Sequence, residues 1–310
     1  MNNGAFSREF TKRWESFYGK TQTKYILNSL HEAETKVITP NVLRIRKAEL
    51  RDNLEKLGFK FSDRGFDESL VLEREPFKIV STPEYLSGLF TIQAQSSLIP
   101  PKSLNPASNS IVADLAASPG IKTSHLAQIM KNSGTIFALE KSLKRLPALK
   151  ANIARLGVFN TIILHCDALN FSHLKTTVDH ILLDAPCSGT GLRIGKNKRT
   201  KQRVIGDISR HANIQRRMLE KGWSQLKVGG TLVYSTCSLE PEEGEFQINQ
   251  FIEKYENEVE TLPISFKYGV SGIETQYQVN YNPQINKTRR IFPSPGFDGF
   301  FIALLKRVRN

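Results

Sequence analysis

The sequence predicts an α/β chain in which a parallel sheet with helices on both faces follows a smaller α+β unit. Three observations predict it. From residue 110 onward, short apolar strands alternate with helical segments, the pattern of sheets whose strands are joined by helical crossovers. The length of 310 residues is about twice that of a typical single domain, so one large unit plus a smaller one is expected. The proline-rich stretch from Leu98-Ile99-Pro100-Pro101-Lys102 to Asn105-Pro106 separates the two patterns, which puts the boundary between a unit of residues 1–105 and one of residues 106–310.

The elements follow in order. Phe6, Phe10, Trp14 and Phe17 recur at intervals of three and four, which predicts an amphipathic helix whose aromatic stripe packs on its own core. Residues 42–45 read as a strand, 47–57 as a helix closed by Gly58, and 71–79 as further strand broken by Pro76, by their propensities and stop signals. In the larger unit the strands are 111–115, 135–139, 161–165, 178–183 and 231–234, and the helices 122–130, 144–156, 208–226 and 242–255. No internal repeat or low-complexity tract interrupts them.

Composition narrows the function. Lys and Arg number 43 against 30 Asp and Glu, a formal charge of +13, and the sequence pI near 9.6 favours a polyanionic partner. A 39% hydrophobic and 9% aromatic content suffices for a packed core and excludes a wholly disordered chain. No run approaches the roughly 20 apolar residues of a membrane span. Met1-Asn2-Asn3-Gly4 lacks a signal-peptide layout, so a cytoplasmic location is expected. Three cysteines make no disulfide framework and read as reduced thiols.

Ligands of open α/β sheets sit beyond the carboxyl ends of the strands. The first strand of the larger unit ends in Asp114-Leu115-Ala116-Ala117-Ser118-Pro119-Gly120-Ile121-Lys122-Thr123, where small residues and a glycine let backbone approach a ligand at a helix N-terminus. A phosphate-binding P-loop requires glycine directly before the lysine, and Ile121 intervenes; a G-x-G-x-x-G fingerprint is missing here. Gly189 to Gly195 imitates that fingerprint, but basic sequence follows it. Glu140 and Asp167 close the next two strands, and an ionised acid there accepts two hydrogen bonds, as ribose hydroxyls require. The layout fits an adenosine-containing ligand without a pyrophosphate.

Two later strand ends carry thiols, Asp184-Ala185-Pro186-Cys187-Ser188-Gly189-Thr190-Gly191 and Tyr234-Ser235-Thr236-Cys237-Ser238. Without a C-x-x-C pair or paired histidines, metal is not expected. One such cysteine is ordinarily structural, but two in turns at strand ends point to nucleophilic chemistry, since nearby positive charge lowers a thiol's pKa. Cys166 lacks that context and reads as core. From Arg193 to Arg217 there are nine Lys or Arg (Arg193, Lys196, Lys198, Arg199, Lys201, Arg203, Arg210, Arg216, Arg217) and one acid, Asp207. The run leads out of the Asp184 loop and suits a phosphate backbone better than a merely solvated face. The six histidines show no metal spacing and receive no chemistry.

These motifs resemble the Sun/RsmB family of RNA cytosine-C5 methyltransferases, from about residue 88 to the C-terminus, compact archaeal tRNA-type members most of all. D-A-P-C-S-G-T-G (184–191) and Y-S-T-C-S (234–238) carry the likeness, with weaker echoes in Gln93, Ser97 and Asp298-Gly299-Phe300-Phe301. The resemblance implies a Rossmann-like, seven-stranded S-adenosylmethionine-dependent fold, an RNA substrate (tRNA ahead of rRNA), and an N-terminal RNA-binding region. It implies that Cys237 attacks cytosine, that Cys187 assists release, that Asp184 hydrogen-bonds the base edge, and that Lys122 orients the base or stabilises the adduct. For S-adenosylmethionine it implies Ala116, Ser118, Gly120, Lys122 and Asp184 around the loop, Glu140 on ribose, Arg145 beside it, and Asp167 on adenine. The family loop commonly reads D-x-C-A-A-P-G-G-K-T, whereas this chain has Leu115, Ala116-Ala117-Ser118 and Ile121. Two other readings compete: a catalytically weak RNA-binding or assembly factor, and an exocyclic-amine methyltransferase, which would need no thiol.

Overall fold

The structure, a computed structural model, describes residues 6–32, 35–66, 69–174, 176–194, 204–276 and 279–309. The chain opens with α1 (Arg8–His31), capped by Ser7, whose Oγ accepts from the Phe10 amide at 3.4 Å. Gly19, at φ 77°, kinks it. The rings of Phe6, Phe10 and Trp14 pack edge-on or tilted against one another, but the stripe does not pack on a core of its own. It is sealed with Ile208 and Leu239 from the far end of the sequence, so the helix is clasped to the larger unit.

Next come β1 (Val37–Pro40), α2 (Lys47–Lys56), β2 (Lys60–Ser62), β3 (Leu70–Arg74), α3 (Pro83–Leu86) and β4 (Phe90–Gln93), the strands forming an antiparallel sheet in the order β2-β3-β1-β4. Two expectations need correcting. Residues 42–45 are a turn, not a strand: Asn41 Oδ1 accepts from the Leu43 amide at 3.3 Å, while its Nδ2 donates to the carbonyls of Gly88 and Leu156. An asparagine that bonds its own following backbone turns the chain, and the strand lies just before it. The strand at 71–79 stops at Arg74, because Pro76 has no amide for the ladder, and Ile79–Ser81 is a single 3-10 turn.

The proline-rich stretch is α4 (Ile99–Leu104). Its prolines lie in the first turn, where a missing N–H costs nothing, and Ile99 and Leu104 are buried in a core of the large sheet. It packs into that core.

The larger unit continues through β5 (Ile111–Asp114), α5 (Ile121–Ile129), β6 (Thr135–Glu140), α6 (Leu146–Arg155), β7 (Thr161–His165), β8 (Val178–Asp184), α7 (Gly206–Gln225), β9 (Leu226–Thr236) and α8 (Glu245–Lys254). It finishes with β10 (Val259–Leu262), β11 (Val270–Ser271), the short pair β12 (Thr275–Gln276) and β13 (Val279–Asn280), β14 (Arg289–Ile291) and β15 (Phe300–Arg307). The main sheet runs β11-β14-β15-β9-β8-β5-β6-β7, with β10 also on β15. Strands β5 to β9 are parallel and β15 is antiparallel to β9. With β14 and β15 these make the seven expected strands, and β10 and β11 bring the sheet to nine.

Side chains alternate across the sheet, so Leu183 and Leu232 enter one core with Trp223 of α7 and Phe251 of α8, while Leu182 and Val233 enter the other with Leu126 of α5 and Leu149 of α6. Because the five strands are parallel, Asp114, Glu140, His165, Asp184 and Thr236 finish on one rim. Among the described residues no helix is long and apolar enough to cross a membrane.

Candidate active site

The loop after β5 is shaped for close approach. Gly120 sits at φ 97°, and a Cβ there would meet Leu149 Cδ1 at 2.9 Å, so only glycine fits both the backbone and the space. Ser118 Oγ donates to the Arg145 carbonyl at 3.1 Å, and Arg145 Nη2 returns a bond to the Ser118 carbonyl at 2.6 Å. Arg145 therefore buttresses the loop, and its Nη1 lies 3.5 Å from Glu140 Oε2. Ile121 opens α5 with its side chain partly against the second core, which takes up some of the bulk that replaces the family's glycine.

Asp114 is buried beneath the loop, accepting from Thr123 Oγ1 at 2.7 Å and from the Ala116 amide at 3.3 Å. Burial pushes its carboxyl up to about 6, against the pull of those two bonds. Above it opens a cleft of about 260 Å³ lined by Gln93, Ser97, Ala116, Ser118, Lys122, Asp184 and Asp298 among others. Glu140, buried, and Asp167, half-buried, lie outside this cleft. They end successive strands further along the rim, Glu140 holding the Ser142 amide at 2.7 Å and Asp167 the Leu169 amide at 3.0 Å.

Lys122 Nζ donates to Asp184 Oδ2 at 2.7 Å, and Ser235 Oγ donates to Asp184 Oδ1 at 2.8 Å. Asp184 and Ser235 are register partners on β8 and β9, so the sheet itself aligns them. Burial works to lower the Lys122 pKa, but Asp184 and the nearby Cys237 outweigh it and the ammonium is held above its ordinary range.

Beyond Asp184 the two thiol turns meet. Cys187 and Cys237 are both free, both half-buried, and their Sγ atoms are 2.9 Å apart. Their environments differ. The hydrogen bond with Cys237, burial, and the charges of Cys237 and Glu243 drive the Cys187 thiol well above its ordinary range. Cys166 packs beside the first core, its pKa raised by burial and by Asp167.

Several site residues carry no signal in the sequence. Ser235 precedes the T-C pair and gives no hint that it holds Asp184. Glu243 accepts bonds from both thiol turns. His125 of α5 lies 3.0 Å from Gln93 Nε2 and stays neutral, burial pushing it down to about 3. Of the basic run, Arg193 donates to the Ser29 and Ser294 carbonyls and so ties α1 to the site. Lys196, Lys198, Arg199, Lys201 and Arg203 lie outside the described residues.

A glycine-turned loop on a parallel sheet, acids on successive strand ends and two thiols on the next two define a Rossmann-like chain of the methyltransferase class. The model of the 16S rRNA methyltransferase RsmB/F family matches residues 101–306, and the chain belongs to that family. It is 37% identical over 283 residues to the human 28S rRNA (cytosine(4447)-C(5))-methyltransferase, covering 87% of this chain and 34% of that protein. It is 36% identical over 228 residues to the tRNA (cytosine(49)-C(5))-methyltransferase of Pyrococcus abyssi, covering 73% of each. The chain thus spans about a third of the length of the human relative. Among solved structures, a methyltransferase homolog protein from Pyrococcus horikoshii aligns with a TM-score of 0.87 at 40% identity, over 97% of this chain and 95% of the other. NSun6 from the same organism, solved with SFG, aligns with the same score at 25% identity over 99% of this chain and 100% of the other.

Proposed function

We propose that the chain is an S-adenosylmethionine-dependent RNA methyltransferase that forms 5-methylcytosine, in tRNA in the first place and in rRNA as the alternative. The observation that carries this reading is the pair of thiols 2.9 Å apart beside the Lys122–Asp184 pair. C5 of cytosine is a poor nucleophile, and a thiolate adding to C6 makes C5 enamine-like, splitting one hard step into two easier ones. Cys237 is the attacking thiolate, consistent with the charge interaction between it and Lys122. Asp184 accepts from the N4 amine on the N3/N4 edge, with Ser235 and Lys122 fixing its two oxygens, and the Lys122 ammonium beside it offsets the negative charge that thiolate addition develops there. Once C5 is alkylated, its proton leaves to a base, the Cys237–C6 bond breaks by elimination, and Cys187, which holds its proton, supports that release.

S-adenosylmethionine, when bound, supplies an electrophilic methyl group. The residues present fit it: the loop from Ala116 to Gly120 offers close backbone approach, Lys122 and Asp184 border the cleft, and Glu140 and Asp167 offer carboxylate oxygens for ribose and adenine. Arg145 contributes by holding the loop. Residues 1–105 serve as the RNA-gripping unit, apart from α4, which packs into the catalytic unit of residues 106–310. The target base must be unpaired or turned out of its stack to reach the rim. Pairing on the pyrococcal relative's own scale, 73% of its length, favours tRNA; the human rRNA relative supports the alternative.

The test is incubation with methyl-labelled cofactor and separately purified tRNA and rRNA, followed by nuclease digestion and nucleoside mass spectrometry. 5-Methylcytosine in one pool is expected. Label on an exocyclic amine would overturn the thiol chemistry, and RNA binding without label would favour the assembly-factor reading.

A further inference from the structure

Glu243 lies in the short helical turn after β9, fully buried. Four donors converge on its carboxylate. Oε1 accepts from the Ser188 amide at 2.9 Å and from Gln215 Nε2 at 3.0 Å. Oε2 accepts from Ser238 Oγ at 2.5 Å and from Ser188 Oγ. Ser188 immediately follows Cys187, and Ser238 immediately follows Cys237. One oxygen therefore grips the residue after each thiol.

The surroundings tighten the arrangement. Gln215 also donates to the Pro186 carbonyl at 2.9 Å, and the Glu243 carbonyl accepts from Tyr234 Oη at 3.0 Å and Thr236 Oγ1 at 3.1 Å. All four donors to the carboxylate are neutral, and among the described residues no cation pairs with it. A buried carboxylate without a counter-ion is expensive, and an apolar side chain would fill the space at less cost. What the acid supplies and an apolar residue cannot is a four-fold acceptor spanning two separate turns.

We propose that Glu243 is a positioning residue that sets the register of the two thiols on a single pyrimidine. The inference rests on the proposed cytosine chemistry for its purpose, though not for its geometry. Without the carboxylate, Ser188 and Ser238 lose their shared acceptor; the Gly191 amide still donates to the Cys237 carbonyl at 3.1 Å and the Leu239 amide to Thr190 Oγ1 at 2.9 Å, but neither bond holds the residue next to Cys187. The negative charge also adds to the influences that keep the Cys187 proton in place.

The test is run in a Cys166→Ser background with Glu243→Gln, Glu243→Ala and Ser188→Ala/Ser238→Ala. The first readout needs no RNA: diamide removes two electrons and two protons from a thiol pair, and mass spectrometry times formation of the Cys187–Cys237 disulfide. The second is methyl transfer, with kcat separated from KM for the cofactor. An ångström of misplacement is worth about 100-fold in rate, so about a 100-fold fall in kcat with little change in KM is expected for Glu243→Gln, along with disulfide formation slowed about tenfold or more. The serine pair should fall between Gln and wild type, and it keeps the test open where a Glu243 variant does not fold. Wild-type disulfide and transfer rates in Glu243→Gln overturn the proposal, as does lost activity with unchanged disulfide formation. If wild type transfers no methyl group while disulfide formation still depends on Glu243, the cytosine reading fails and the register role stands.

Discussion

Asp114→Asn should change how stability depends on pH, by an amount the structure sets. Asp114 ends β5 at 1% exposure, and burial raises its carboxyl to about 6 from an ordinary 3.8. A carboxyl raised by folding stabilises the native state fully below its unfolded value, and that contribution is lost as pH climbs through the folded one. The gap of 6 − 3.8, at 1.36 kcal/mol per unit, comes to about 3 kcal/mol. Asparagine has no such titration. Its Oδ1 still accepts from the Ala116 amide, and its Nδ2 turns the Thr123 hydroxyl, now 2.7 Å from Oδ2, from donor into acceptor. Between pH 4 and pH 7.5 the variant should therefore gain on wild type by about 2.4 kcal/mol of that total, most of it between 4 and 6. Urea unfolding followed by the fluorescence of the buried Trp14 and Trp223 reads this directly. Parallel stability curves for the two proteins would refute the claim that Asp114 is forced to ionise in an apolar setting.

Three further outcomes are expected. Asp184→Asn removes the carboxylate proposed to face the base edge and leaves Lys122 without its ion pair; kcat should fall about 10²- to 10³-fold, and a loss under tenfold would mean that Asp184 only holds the lysine. Arg145→Ala cuts the loop's tie to Ser118 and, the arginine being exposed, should weaken cofactor binding about fivefold by calorimetry; unchanged affinity would show the loop ordered without it. Replacing Lys198, Arg199 and Lys201 by serine should weaken RNA binding and reduce the log–log salt slope by about two, at roughly 0.7 per phosphate contact with single strands. An unaltered slope would make that run a solvated surface.

The parallel unit was legible in the sequence because each strand is a short apolar run followed by a turn, and Asp184, Cys187 and Cys237 stand in those turns. What the sequence concealed is mostly pairing across distance. The run Glu240-Pro241-Glu242-Glu243-Gly244-Glu245 offers four acids with no local mark of difference. In the fold Glu240 takes Trp14 Nε1 and Arg13, Glu242 also takes Arg13, Glu243 grips the thiol turns, and Glu245 pairs with buried Arg290. Those fates are decided by chain up to 229 residues away. The strand misplaced onto 42–45 has a local cause: β-branched and apolar residues there outscored the turn that Asn41 imposes. The antiparallel β15 reads as apolar sequence, but its place between β9 and β14 depends on a neighbour, not on its own pattern. The prolines of α4 punctuate a sequence when exposed and begin a helix when buried, and composition alone does not separate the two.

In the proposed reaction Cys237 forms the bond to the base and Cys187 helps to break it. Cys187→Ala and Cys237→Ala, each incubated with cofactor and substrate RNA and run on denaturing gels, test it most directly. A protein–RNA species that survives denaturation is expected for Cys187→Ala and none for Cys237→Ala. A trapped species with the substitutions reversed, or methyl transfer that persists without Cys237, would contradict it.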